Sequence, residues 1–177
     1  MIQYIAVLRG INVWWHNIIS MDALSTMCTN LWLNDVQTYI QSGNIIFMST
    51  ESDTTRLVDM ISYGITREFG LDIMVQIRTA TQWKQIIAQC SYAKPWQDVN
   101  DVYVTLLATP PVKVALKDLT QALNESEKFV LKDQTLYLCT PAYGTTKLSN
   151  AMIERKLKSS ATTRNWKTVI KIGEMIK

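Results

Sequence analysis

The apolar residues of the first 78 positions change their period in a fixed order, and that order restricts the fold more than any other feature. Tyr4–Leu8 is an apolar run of strand length. Met21, Leu24, Met27, Cys28 and Leu31 then recur at helical spacing. Val36–Ile40 and Ile45–Met48 read as two short strands around QSGN, a tight-hairpin signal. Asp53 is placed to cap a helix running to Phe69, with Leu57, Met60, Ile61, Ile65 and Phe69 on one face and Gly70 as its stop. Asp72–Ile77 closes the series as a strand. Strand, helix, strand, strand, helix, strand is the order of the split βαβ unit, the ferredoxin-like plait.

The second half is less regular. A helix is expected over Thr81–Gln89, then a linker over residues 91–100. A strand (Val102–Leu107), a Pro-Pro turn and a helix (Val114–Leu123) follow, then strands at Phe129–Lys132 and Leu136–Cys139. Two basic helices are predicted after that. Thr145 and Thr146 are placed to cap the first, and Thr162 and Thr163 the second. On the second, Trp166, Val169, Ile170 and Ile176 form the inward stripe. This gives β-α-β-β-α with a helix where a fourth strand would stand. The expected fold class is therefore α+β: two tandem ferredoxin-like (α-β plait) domains with an extra C-terminal helix. The expected division is residues 1–79 and 80–177, with no sequence repetition visible between the halves.

Composition narrows the function classes. No apolar run approaches the roughly 20 residues of a membrane span, so no membrane partner is expected. The opening MIQYIAVLRGIN has no basic lead and no small-residue cleavage end, and reads as a strand rather than a signal peptide. Cys28, Cys90 and Cys139 are far apart and odd in number, which fits reduced thiols and a cytoplasmic location. His16 is the only histidine, and neither CxxC nor HExxH occurs. A metal centre or a histidine relay therefore lacks ligands, and no metal or cofactor is expected. Residues 132–177 hold nine Lys/Arg against three Asp/Glu, whereas the rest holds nine against twelve. An anionic partner would be sought at that basic end.

Two groups of candidate site residues follow. In a split βαβ sheet the first strand lies antiparallel beside the third, so the end of strand one and the QSGN hairpin should meet. That brings Arg9, Asn12, Asn17, Gln41, Ser42 and Asn44 to one rim, with His16 in the adjoining loop. The second group is Tyr143, Lys147, Asn150, Thr163 and Arg164, on or beside the expected basic helices. Helix N-termini rich in hydroxyls and N–H groups suit phosphate. Plainer readings stand beside these: Arg9 in a structural ion pair, Gly43 as a turn glycine, and the basic helix residues as a solvated face. Trp14 and Trp15 fit base stacking, a partner protein, or packing within the chain or an oligomer.

LRGIN near the start, TYIQSGNIIF, and YGTTKLSNAMIERKL followed by ATTRNW resemble a widespread, mainly bacterial family of proteins of unknown function. The resemblance spans essentially the whole chain. It implies two α-β plait domains and no established activity, substrate or cofactor. The family pattern after LRGINV usually runs Gly-Gly, then Lys or His, then Asn, with a Pro before Met. Here Trp14 and Trp15 stand at the glycines, His16 and Asn17 fit, and Ser20 replaces the Pro. Glycines permit φ > 0 and close backbone approach to an anion, which tryptophans do less well.

The leading functional expectation is a binding protein for a phosphate-bearing ligand, a nucleotide or single-stranded nucleic acid. The alternatives are an enzyme on a small anionic metabolite, with no reaction class named by any residue pair, and a protein-contact module or homo-oligomer using the Trp14–Trp15 loop.

Overall fold

The first strand, β1 (Ile2–Leu8), is buried on both faces: Tyr4 to Leu8 are all 0% exposed. Its neighbours explain why. The computed structural model describes residues 1–93, 99–111, 113–141, 143, 146 and 148–177, and of 113–115 the backbone only. In it β1 lies inside a four-stranded antiparallel sheet with β2 (Asn34–Tyr39), β3 (Asn44–Ser49) and β4 (Val75–Thr79), in the order β2-β3-β1-β4. Tyr4 faces Phe47 and Val7 faces Asn44 across one ladder, and Val7 faces Gln76 across the other.

Two helices cover one face of this sheet. Helix α1 (Met21–Asn30) starts at Ser20, whose hydroxyl accepts from the Ala23 N–H. Helix α2 (Thr54–Phe69) starts at Asp53, whose carboxylate accepts from the Thr55 N–H at 2.8 Å, and stops at Gly70 with φ +67°. Each cap satisfies an N–H that the first turn leaves without a partner. Leu24, Met27 and Cys28 of α1 and Leu57, Ile61 and Ile65 of α2 pack on Tyr4, Ala6, Leu8, Ile45, Phe47, Val75 and Ile77. Each such side chain contributes about 1.5–3 kcal/mol. The helical spacings read from the sequence are these inward faces.

The chain divides into two compact units, Met1–Gln85 with Ile172–Lys177, and Ile86–Lys171. Helix α3 (Ala80–Ala88) follows β4. The second unit holds β5 (Val102–Leu107), α4 (Lys113–Thr120), β6 (Lys128–Lys132), β7 (Thr135–Cys139), α5 (Asn150–Leu157) and β8 (Ala161–Asn165), and α6 (Trp166–Met175) begins in it. Its sheet is again four-stranded and antiparallel, ordered β6-β7-β5-β8. Of the linker expected over 91–100, residues 94–98 lie outside the described residues.

Strand β8 corrects the sequence reading. ATTRN was read as the start of a basic helix, capped by Thr162 and Thr163. It is the missing fourth strand, with Thr105 facing Thr163 and Val104 facing Arg164. Two adjacent threonines are stiff at χ1 and suit a pleated surface better than a helical turn. The last helix starts only at Trp166, and its cap is Asn165, whose Oδ1 accepts from the Thr168 N–H at 2.8 Å. Its buried apolar side chains are Trp166, Val169 and Ile172, with Ile170 and Ile176 only half-buried. The cap of α5 is Ser149, not Thr146; its hydroxyl accepts from the Met152 N–H. Thr145 lies outside the described residues.

With β8 in place the two units share one construction. The Leu8 N–H donates to the Gly43 carbonyl and the Leu107 N–H to the Gln134 carbonyl, both at 2.8 Å. The Arg9 N–H reaches the Met74 carbonyl at 3.0 Å, and the Ala108 N–H reaches that of Ser160 at 2.9 Å. Both fourth strands carry an arginine before their last residue, Arg78 and Arg164, and each donates to the carbonyl one residue back. A helix follows each, containing Trp-Lys-Gln-Ile-Ile in α3 and Trp-Lys-Thr-Val-Ile in α6. This short repeat emerges only once the strands are aligned.

Gly43 has φ +76°, and a Cβ there would sit 2.6 Å from Ile11 Cδ1 and 2.8 Å from Leu8 Cβ. Gly10 has φ +67° with nothing within 4 Å. Gly10→Ala is therefore expected to lose about 1–2 kcal/mol, from the backbone alone. Gly43→Ala should lose roughly 2–5 kcal/mol, because overpacking adds to the same strain. Urea unfolding of the two variants checks the difference.

Candidate functional site

RGIN and QSGN meet, and Asn12 is what joins them. The chain leaves β1 through Gly10 and passes into a loop in which Asn12 (φ 54°), Trp14 (46°), Trp15 (67°) and Asn17 (52°) all have left-handed backbone. Asn12 Nδ2 donates to the Ile19 and Gln41 carbonyls, both at 2.9 Å, and to Gln41 Oε1 at 3.3 Å. Its Oδ1 accepts from the Ile19 N–H at 2.9 Å. Asn17 Nδ2 donates to the Gly10 carbonyl, and the Asn12 N–H to the Asn17 carbonyl. Asn44 is fully buried and donates to the Tyr39 carbonyl and to Ser42 Oγ. The Asn12, Asn17 and Asn44 amides expected to face a ligand are therefore engaged within the loop and the hairpin. Arg9 is half-buried, and His16 and Gln41 are exposed.

At the tip of this loop Val13 and His16 exchange both backbone hydrogen bonds, at 3.3 and 2.8 Å. Trp14 and Trp15 are then the central pair of a two-residue turn. Positive φ at both central positions is the primed hairpin turn that prefers Gly-Gly or Asn-Gly. The glycine-adapted backbone is thus kept with tryptophans on it. Left-handed backbone costs a side-chain-bearing residue about 1–2 kcal/mol. Trp14 is 86% and Trp15 92% exposed. Within the first unit neither ring is covered by the described residues. Val13 and Ile18 beside them are exposed too, as is Ile40, which precedes Gln41.

The second group is partly brought together. Asn150 Oδ1 accepts from Thr163 Oγ1 at 2.6 Å and from the Tyr143 hydroxyl at 3.4 Å. Thr163 and Thr105 hydroxyls share a 2.7 Å hydrogen bond, and Tyr143 stacks on Tyr103 with centroids 4.5 Å apart. Arg164 lies on β8, directly before the Asn165 cap of α6. It is 9% exposed, bonds Thr162 Oγ1 at 3.1 Å and the Thr163 carbonyl at 3.0 Å, and burial lowers its pKa to about 10, with the Tyr143 phenol pulling the other way. Burial lowers Arg78 as well. Lys147 lies outside the described residues.

Sequence reasoning missed Glu127. It is 4% exposed, bonds the Thr146 hydroxyl, and accepts from the Asn124 N–H at 3.0 Å. Asn124-x-x-Glu127 is a capping-box spacing, and that was its available signal.

A family model described as a protein of unknown function (DUF1697) matches residues 1–137. The chain belongs to the DUF1697 family. Its match takes in LRGIN and TYIQSGN and stops before the third motif. Among solved structures, this family member is similar to a conserved bacterial protein from Streptococcus pneumoniae, with TM-score 0.78, 22% identity, and 99% of each chain covered. At that identity the likeness shows the fold. Among curated proteins none matches it.

Asn12→Ala removes both amide N–H donors and the acceptor at once. A loss of roughly 2–3 kcal/mol is expected, at about 1 kcal/mol per bond. Asn12→Asp keeps an acceptor for the Ile19 N–H but points its second carboxylate oxygen at the Ile19 and Gln41 carbonyls, and should lose more than the alanine variant. Urea unfolding ranks the two, and faster amide exchange at Ile19 in the alanine variant locates the effect.

Proposed function

We propose that this protein is a contact module that pairs with a second copy of itself through the Trp14–Trp15 loop. The reading rests on one observation: two adjacent tryptophans, nearly fully exposed, on backbone that suits glycine. A sequence that breaks a local rule does so most readily at a functional site. The hydrogen-bonded loop holds the indoles out of the core, where alternative residues would relieve strain and reduce exposed apolar area.

Several facts favour a protein partner over a phosphate-bearing ligand. The unit that carries the loop holds six Lys/Arg against eight Asp/Glu, so it has no net positive field for a polyanion. The amides that would grip a phosphate are engaged by the fold. Val13 before the indoles and Ile18 after them are exposed aliphatics. Enzymatic action on a small anion draws on the same amides, and no hydrogen-bonded nucleophile–base pair is found among the described residues of that rim.

A second copy is the partner that suits the patch. Residues 13–18 contain no Lys, Arg, Asp or Glu, so a two-fold pairing brings no formal like charges together. The two indoles supply roughly 300–500 Å². With Val13, Ile18 and Ile40 they approach the ~800 Å² per partner of a stable interface. We also read both units as ferredoxin-like plaits, supported by the shared strand order, and the protein as cytoplasmic.

The test is sedimentation of the wild-type chain and of Trp14→Gly/Trp15→Gly over a concentration series. Wild type is expected to dimerise and the double variant to stay monomeric. That variant should also be more stable by roughly 1–2 kcal/mol, because relief of left-handed strain outweighs the entropy cost of glycine. A wild-type chain that is monomeric throughout, or a variant that still pairs, rejects the proposal. Salt-sensitive quenching of these tryptophans by an oligonucleotide would restore the phosphate reading.

A further inference from the structure

Trp32 repeats the anomaly of Trp14 and Trp15. It has φ +62° and is 90% exposed. Helix α1 ends there in a Schellman turn: the Trp32 N–H donates to the Thr29 carbonyl at 3.0 Å, and the Leu33 N–H to that of Cys28 at 3.3 Å. Leu33 and Cys28 are buried in the same core. Trp32 thus stands where such a turn usually has glycine, and its exposed ring takes no part in the turn.

An exposed edge runs between these tryptophans. Strands β2 and β4 are the outer strands of the first sheet. Val75–Ile77 of β4 are buried, whereas Asn34, Asp35 and Gln37 of β2 are exposed and Val36, Thr38 and Tyr39 half-buried. Trp32 stands just before β2, and the exposed Ile40 just after it. Gln41 comes next and holds Asn12, and with it the Trp14–Trp15 loop. One edge strand therefore has an exposed tryptophan at its start and two near its end. Over residues 32–41 the only charged side chain is Asp35, and Lys177 Nζ lies 3.2 Å from its carboxylate. The register of β2 on β3 shifts between Asn34 and Gln37, with Asp35 at φ +49°. Gln37–Tyr39 is left as a regular run centred on Thr38.

We propose that two copies pair antiparallel along β2 about Thr38, so that Trp32 of each copy meets the Trp14–Trp15 loop of the other. The inference rests on self-pairing through that loop and adds the surface the loop meets. A two-fold contact sets residue i on j and j on i. With Thr38 on the axis, Val36 faces Ile40, and Asp35 faces Gln41 rather than a second Asp35. Trp32 precedes Thr38 by roughly 20 Å of strand, Gln41 follows it by about 10 Å, and Trp14 reaches up to about 7 Å beyond Asn12. The two aromatic ends lie at similar distances from the axis, and the two-fold lays one on the other. A third indole adds about 150–250 Å² per copy. That brings the patch to the ~800 Å² per partner of a stable interface.

The experiment compares sedimentation of Trp32→Gly with that of wild type and of Trp14→Gly/Trp15→Gly, and follows amide exchange over Val36–Tyr39 at low and high protein concentration. Glycine suits the end of a Schellman turn, so the variant keeps the fold, which urea unfolding checks. Trp32→Gly is expected to weaken pairing roughly 30-fold or more. Alternate N–H groups of Val36–Tyr39 are expected to exchange more slowly in the dimer than in the monomer. If Trp32→Gly pairs as tightly as wild type, or exchange on β2 is the same in monomer and dimer, the edge pairing is overturned and pairing at the loop alone stands. A wild-type chain that stays monomeric overturns both.

Discussion

Each unit depends on where its first strand lies. A strand inside a sheet bonds on both edges, so its end must meet the hairpin on one side and the start of the fourth strand on the other. The Leu8 N–H to Gly43 and the Arg9 N–H to Met74 are those two meetings. Gly43 makes the first possible twice over, through its positive φ and through its missing side chain against Leu8 and Ile11. The loop after β1 then leaves the sheet beside the hairpin, where Asn12 fastens it to Gln41. The second unit repeats the pattern with Leu107 and Ala108.

The polar residues at the first loop and hairpin and between α5 and β8 acquire a structural role from this arrangement. Asn12, Asn17 and Asn44 satisfy backbone carbonyls in a segment with little regular ladder. Asn150, Thr163 and Thr105 bond one another's side chains between α5 and the sheet of the second unit. Buried polar groups left without partners cost about 1–3 kcal/mol each, and these networks avoid that. The side chains that remain at the surface of the first loop are mainly apolar, and this directs the functional reading towards Trp14 and Trp15.

The arginines show how neighbourhood changes the meaning of a charge. In the sequence Arg164 belongs to the most basic stretch and looks like a surface cation. In the fold it sits on a strand, buried, with its guanidinium on local oxygens. Arg78 has the matching place on β4. An anionic partner drawn to the basic end would meet other residues first.

What the sequence by itself determined was the first unit. Its helices have one apolar stripe each, the Asp53 cap and the Gly70 stop are local, and its hairpin glycine announces itself. Those signals depend on neighbours a few residues away, so they survive without a structure. The fourth strand of the second unit was decided only by tertiary structure, because Ala-Thr-Thr-Arg-Asn is short, has no apolar alternation, and becomes a strand by pairing with β5. The same holds for the site. That Asn12 would reach Gln41 followed from topology, but that its donors would be consumed there, and that both tryptophans would face solvent, depended on hydrogen bonds and burial between distant segments.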